Sequence, residues 1–366
     1  MNRLVGLLTK VDWLLAGASF VLVAFGLAAI YSVALSTESG DLPFFAKQMI
    51  ALGVGLVLLI SLAASNYRLF RNWTIPLYMI SLGLLIGVLF FGATINGTTG
   101  WFQVWHLSFQ PVEFTKIVLV LVLAKYFSER ARRQIGWREI FGSGFLTLIP
   151  AGLVTLQPDY GSALALVGLW VILLFFAGLK WKQALILVGL AVVVGLIAWF
   201  GIFGEAQHER FLTFVDPDRD PLGRGYNVTQ AIIAVGSGQF FGRGLGFGSQ
   251  SQLKFLPESQ TDFIFAVIAE ELGFIGVILI LAAFSLFFYR LFRLVKHSRD
   301  DYTSYLILGI IAVILIQVVV NIGMNLGLLP VTGIGLPLVS YGGSSLLMAL
   351  VLIGFAESVA VRTSSS

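Results

Sequence analysis

Residues 203–271 read FGEAQHERFLTFVDPDRDPLGRGYNVTQAIIAVGSGQFFGRGLGFGSQSQLKFLPESQTDFIFAVIAEE. The stretch leaves one apolar run, crosses a long polar segment and re-enters hydrophobic sequence carrying Asp262, Glu270 and Glu271. On both sides the chain is overwhelmingly apolar. Of its 366 residues, 58% are hydrophobic and 11% charged, with mean hydropathy +0.92. A water-soluble domain carries about 25% charged residues, so the composition specifies an all-α polytopic membrane protein. We read residues 1–366 as a single integral membrane domain with 204–262 as its extracytoplasmic loop. The absence of cysteine excludes disulfides and thiolate chemistry. The three histidines are scattered, which disfavours a His-rich metal site, and a net charge of +4 is no argument for nucleic acid.

A membrane-spanning helix needs about 20 apolar residues. That measure predicts ten spans, at 13–33, 45–64, 73–91, 111–127, 140–157, 161–178, 183–203, 263–289, 303–328 and 341–361. The fifth and sixth could also be one bent hairpin around Gln157-Pro158-Asp159-Tyr160-Gly161. Arg3 and Lys10 precede the first run with no small-residue cleavage site after it, so a retained helix is expected rather than a signal peptide. Placing the N-terminus in the cytoplasm puts 16 of the 23 Lys and Arg residues on inner loops and the C-terminal tail. This is the positive-inside pattern, and it sets both parity and orientation. Two outer segments exceed simple connectors. Residues 92–110 are rich in Gly, Thr and Trp, with Trp101, Phe102, Trp105 and His106 suited to anchoring in the headgroup zone. In the organising loop, Tyr226 to Phe241 is expected to form a helix lying on the membrane surface.

Charges inside apolar helices are costly and mark functional suspects. Glu113 and Lys116, spaced i,i+3, read either as a self-compensating pair or as the charged wall of an outward cavity. Asp262 stands at the loop–membrane boundary. It reads either as a general base, its pKa raised by desolvation, or as a helix cap beside Thr261, with Glu258 in the preceding turn. Arg210 suits a phosphate, which a guanidinium grips through two parallel bonds, or else snorkels to the headgroups. Glu270 and Glu271 point in adjacent directions and serve helix packing as readily as function; Glu357 is a further intramembrane acid. Asn321 and Asn325 place two amides inside the ninth span. The 336–344 segment, with Ser340, is an irregular approach to the tenth, tolerated only where buried or lining a cavity. Together these features suggest one outward cavity for an anionic, lipid-attached ligand.

Five segments then carry a resemblance: FQPVEFTK (109–116), QPDYG (157–161), PESQTDFIF (257–265), AEELG (269–273) and the 321–344 stretch. They resemble the SEDS family (shape, elongation, division, sporulation) over nearly the whole chain. The lack of tail extensions and FGSQSQ (247–252) point to its elongation branch more than its division branch. The resemblance implies a peptidoglycan glycosyltransferase that polymerises lipid II on the outer face of the bacterial cytoplasmic membrane, with both termini inside. It implies Asp262 as the essential loop aspartate, with Glu113, Lys116, Asp159, Arg210, Glu258 and Ser340 binding or supporting substrate. A divalent cation (Mg2+ or Mn2+) is a candidate cofactor, and no organic cofactor is implied. The implied partners are a class B penicillin-binding protein, expected near the eighth and ninth spans, and other elongation-complex membrane proteins. The rival functions are a lipid II flippase and a non-catalytic scaffold.

Overall fold

The structure, a computed structural model, describes residues 10–35, 43–95, 97–104, 107–131, 135–202, 204–220 and 223–363. The chain is predominantly helical, in the order α1 (Trp13–Leu35), α2 (Pro43–Ala64), α3 (Thr74–Phe91), α4 (Pro111–Ser128), α5 (Trp137–Thr155), α6 (Tyr160–Phe176), α7 (Trp181–Ile197), α8 (Glu205–Val215), α9 (Arg224–Ser237), α10 (Ile264–Lys296), α11 (Asp301–Asn325) and α12 (Gly343–Thr363). Among the described residues, seven helices are long and apolar enough to cross a membrane: α1, α2, α3, α7, α10, α11 and α12. Helix α6 is shorter, at 17 residues, and α4 carries Glu113, Lys116 and Lys125. The run Ile117–Leu123 of α4 alternates Val and Leu, a pattern that in water would favour a strand. It is helical and wholly buried here, consistent with the need of a lipid-embedded backbone to satisfy its own hydrogen bonds.

Helix α11 forms the centre, 78% buried over its most apolar window, and packs against α4, α6 and α10. Around it α12 lies on α2, α10 on α1, α3 on α4 and α5 on α6. One end of the bundle is tied by ions. Arg290 on α10 grips Asp12 through bonds of 2.6–3.0 Å, and the Asp12 N–H donates to Glu357 on α12 at 3.0 Å. Helix α7 differs from the rest: Gln183 is its only buried residue.

Helix α10 is broken at Gly273, whose φ of 66° and ψ of −162° suit glycine alone. The break orphans backbone groups, and the segment after α9 supplies their partners. The N–H groups of Arg243 and Gly244 donate to the carbonyls of Glu270 and Glu271, while the N–H groups of Phe274 and Ile275 donate to those of Gln239 and Phe240. Helix α9 thereby docks on α10, burying Val228, Ala231 and Ala234. Part of the apolar face of the 226–241 stretch is thus turned onto α10, while Ile232, Ile233, Phe240 and Phe241 stay exposed.

Within the 92–110 segment the structure forms a small antiparallel sheet, β1 (Ala93–Ile95), β2 (Thr98–Val104) and β3 (Leu107–Phe109), in the order β1-β2-β3, and β2 carries Trp101 and Phe102. The signal was present, because Asn96-Gly97 is a strong hairpin dipeptide and Gly97 adopts φ 77°. Trp105 and His106 lie outside the described residues, as does Arg3.

A methyl group at Gly273 would meet backbone atoms of Phe240 and Gly242, whereas one at Gly236 meets nothing within 4 Å. Backbone strain and overpacking each cost about 1–3 kcal/mol. Gly273→Ala is therefore expected to lower the thermal midpoint and expose the 239–244 segment to proteolysis, with Gly236→Ala close to the parent. Equal stability of the two variants would refute this account of the break.

Candidate active site

The turn leading into α10 carries the site. Phe263, not Asp262, occupies the N-cap position of α10, and no side chain caps the helix. Of the two readings of Asp262, capping is thus not what its carboxylate does. The turn is closed from within: Thr261 Oγ1 donates to Glu258 Oε2 at 2.9 Å, and the Phe263 N–H donates to the Glu258 carbonyl at 3.2 Å. It is also held from outside. The Asp262 carbonyl accepts from the amides of both Asn321 and Asn325 at 2.9 Å. Ser340 Oγ donates to the Thr261 carbonyl at 2.6 Å, and the Tyr341 N–H to the Gln260 carbonyl at 2.8 Å. The 336–342 segment is in turn pinned by Gln48 of α2, which donates to the Ser340 carbonyl at 3.2 Å and accepts from the Gly342 N–H at 3.1 Å.

The main chain of Asp262 is therefore fixed while its side chain is left poorly solvated. Burial, with the negative charges of Glu258 and Asp159 nearby, pushes its pKa up to about 7. Desolvation penalises the charged form and like charges add to that penalty. Such a carboxylate exchanges protons near neutrality. Asp159 itself caps α6, accepting from the Ser162 N–H at 2.9 Å, and accepts from the Gln110 amide at 3.3 Å. The 157–161 hairpin thus lies near enough to the Asp262 turn for the charge of Asp159 to be felt there.

Glu113 and Lys116 form the pair their spacing predicts, 2.8 Å apart and buried. With Val313, Gln317, Ser345 and Met348 they line a small cavity between α4, α11 and α12. Glu113 lies about one turn and Lys116 nearly two turns along α4 from Gln110, and the Gln110–Asp159 bond links their helix to the 157–161 hairpin. Arg210 lies on α8, but its side chain is outside the described residues. Ser340 is 7% exposed, with its hydroxyl committed to Thr261 and to the Leu336 N–H. Its hydroxyl supports the turn. Glu270 accepts from the N–H groups of Gln250 and Ser251, at 2.8 and 3.1 Å, and Glu271 accepts from Ser32 at 2.6 Å. Both acids therefore hold the 248–252 turn against α10 and α1. Sequence reasoning singled out Asn321 and Asn325 as amides inside a helix but could not assign their acceptor, 59 and 63 residues away.

A divalent ion needs several oxygen ligands converging on one point. Among the described residues, no three His, Asp or Glu side chains gather closely enough to hold one. Asp262, Glu258 and Asp159 interact as charges and do not form a protein cage for an ion.

This arrangement has relatives. Residues 12–365 match the family described as "Cell cycle protein", which groups FtsW, RodA and SpoVE. The stage V sporulation protein E of Bacillus subtilis is 38% identical over 357 residues, covering 94% of this chain and 96% of the relative. The peptidoglycan glycosyltransferase MrdB of Escherichia coli K12 is 36% identical over 351 residues, covering 93% and 92%. A solved chain from a peptidoglycan synthase complex that coordinates polymerization and crosslinking superimposes with a TM-score of 0.81 at 35% identity, covering 96% of this chain and 98% of its own. The chain is a multi-pass membrane protein and belongs to the FtsW/RodA/SpoVE family, the SEDS proteins.

Proposed function

We propose that the chain is a peptidoglycan glycosyltransferase that polymerises lipid II during cell elongation. The observation that carries the reading is an acid held by its main chain at a membrane boundary, its carboxyl half-protonated near pH 7. Relatives named peptidoglycan glycosyltransferase and probable peptidoglycan glycosyltransferase match 93% and 95% of the chain. In this reading Asp262 accepts the proton of the acceptor sugar's 4-hydroxyl. The freed electron pair forms the bond to C1 of the donor, and the C1–oxygen bond breaks, its pair departing on undecaprenyl pyrophosphate. Pyrophosphate is a good leaving group, so positive charge where negative charge builds suffices. Arg210 and Lys116 are the candidates for that charge, with Glu113, 2.8 Å from the Lys116 ammonium, orienting it. Any divalent cation would arrive with the pyrophosphate, in the manner of Mg2+ held mainly by water and phosphate.

The ten apolar helices are assigned as ten spans, with the 204–262 loop outside and both termini in the cytoplasm. The supporting observation is the Lys/Arg asymmetry. For the class B penicillin-binding protein partner, burial narrows the expected docking face. Helix α11 is too enclosed to present a lateral surface, whereas α10 exposes Phe274, Ile278 and Leu281. The chain has no cysteine, so Phe274→Cys, Ile278→Cys and Leu281→Cys are expected to crosslink to the partner's helix, and Leu306→Cys and Ile310→Cys to stay silent. Gln230→Cys is expected to label with an impermeant maleimide from outside, and Gln134→Cys only after permeabilisation. The reverse patterns would sink the docking face and the topology respectively.

Asp262→Asn separates catalysis from structure because its two effects have opposite signs. Loss of a general base costs on the order of 10²–10⁴-fold in rate, so polymer formed from lipid II per folded molecule is expected to collapse. A carboxyl with a raised folded-state pKa loses stability as pH rises from its ordinary value toward about 7, and the full cost persists above that. The amide carries no such cost, so the variant is expected to melt higher than the parent at pH 8 and to match it near pH 4. Near-normal turnover by the variant would remove Asp262 as the base. A flippase would instead move lipid II between leaflets without making polymer, and a scaffold would do neither.

A further inference from the structure

Asn321 and Asn325 lie one turn apart on α11, and both are completely buried. Asn321 Nδ2 donates to the Asp262 carbonyl at 2.9 Å and to the Ile334 carbonyl at 2.8 Å. Asn325 Nδ2 donates to the same Asp262 oxygen at 2.9 Å and to the Asn321 carbonyl at 2.8 Å. Asn325 Oδ1 accepts from the Ala266 N–H at 3.0 Å, in the first turn of α10. These partners fix which end of the Asn325 amide is oxygen, because an N–H lies on one side and carbonyls on the other.

A carbonyl oxygen has two lone pairs, and two side chains satisfy this one. Burying an amide without partners is costly, and an apolar side chain would pack α11 with no such risk. The amides therefore do something packing does not require. They hold one carbonyl from below, and Ser340 holds the preceding one at 2.6 Å. With the main chain so pinned, the carboxylate can re-aim only by rotating its own side chain.

We propose that Asn321 and Asn325 are positioning residues for glycosyl transfer, holding the Asp262 main chain so that its carboxylate stays in line with the acceptor hydroxyl. Neither touches substrate; both act through Asp262, and the proposal rests on Asp262 being the base. A misplacement of about 1 Å in a catalytic group can cost on the order of 100-fold in rate. The sensitive quantity is therefore turnover, not substrate binding.

The test is steady-state polymerisation of lipid II by the full-length chain, reconstituted with its transpeptidase partner. Asn321→Leu and Asn325→Leu are made singly and each combined with Asp262→Asn. Each single variant is expected to lower kcat about 10–100-fold with KM unchanged. In the Asp262→Asn background the same substitutions should cause no further fall, because interactions routed through one group are not additive. An equal fall in both backgrounds, a rise in KM at constant kcat, or unchanged kcat would overturn the positioning role. If Asp262→Asn alone keeps normal turnover, the base assignment fails instead, whatever the Asn variants do. Should either Leu variant misfold, Ser340→Ala removes a single hydroxyl from the same anchor. It is expected to lower kcat at unchanged KM, with Ser340→Thr restoring it; a Ser340→Ala enzyme with parental kcat overturns the anchor.

Discussion

The structure depends on holding an acidic residue at a membrane boundary by its main chain alone. Three successive carbonyls, of Gln260, Thr261 and Asp262, are taken by Tyr341, Ser340 and the two asparagines of α11. A turn at that depth would otherwise carry unsatisfied backbone groups, each costing several kcal/mol in an apolar medium. Side chains from the most enclosed helix meet that demand, and the Asp262 carboxyl is left to burial and to the charges of Glu258 and Asp159. Local order and a perturbed acid thus have the same origin. The polar network that fixes the turn engages its carbonyls and not the Asp262 carboxylate.

The break in α10 serves the same end one element further along. A continuous helix from Ile264 would give the loop no backbone groups to bind. Gly273 opens the helix, and the 239–244 segment closes the gap with four main-chain bonds. Glu270 and Glu271 then clamp the next turn of the loop through Gln250, Ser251 and Ser32. The loop between α7 and α10 is consequently part of the bundle from Gln239 onward. Helix α7, by contrast, stands nearly free of it.

Much of this was legible in the sequence because lipid imposes a strong constraint. Each long apolar run became a helix, including the Val-rich α4. The i,i+3 spacing of Glu113 and Lys116 gave their ion pair, and the place of Asp262 at a polar–apolar boundary marked it as perturbed. Less legible were matters settled by distant contacts. No local signal says that Asn325 will find a carbonyl 63 residues earlier, or that Ser340 will spend its hydroxyl on Thr261. The amphipathic pattern of α9 has the same form for a membrane surface as for a protein face, and only packing on α10 decides. That α11 would be the most enclosed of the long apolar helices was likewise not legible from its composition. The hairpin at Asn96-Gly97 was obscured by neighbouring Trp and Thr residues, which also suit the headgroup zone.

The central claim is that Asp262 is a carboxyl held half-protonated near neutrality. It is tested most directly by titrating that group in the intact protein in lipid nanodiscs. Isotope-edited infrared or carbon-13 spectroscopy, with Asp262→Asn as the difference reference, isolates its signal. The account predicts a midpoint near 7, moving downward in Glu258→Gln as one repelling charge is removed. A midpoint at the ordinary aspartate value of about 3.9, unmoved by Glu258→Gln, would contradict it.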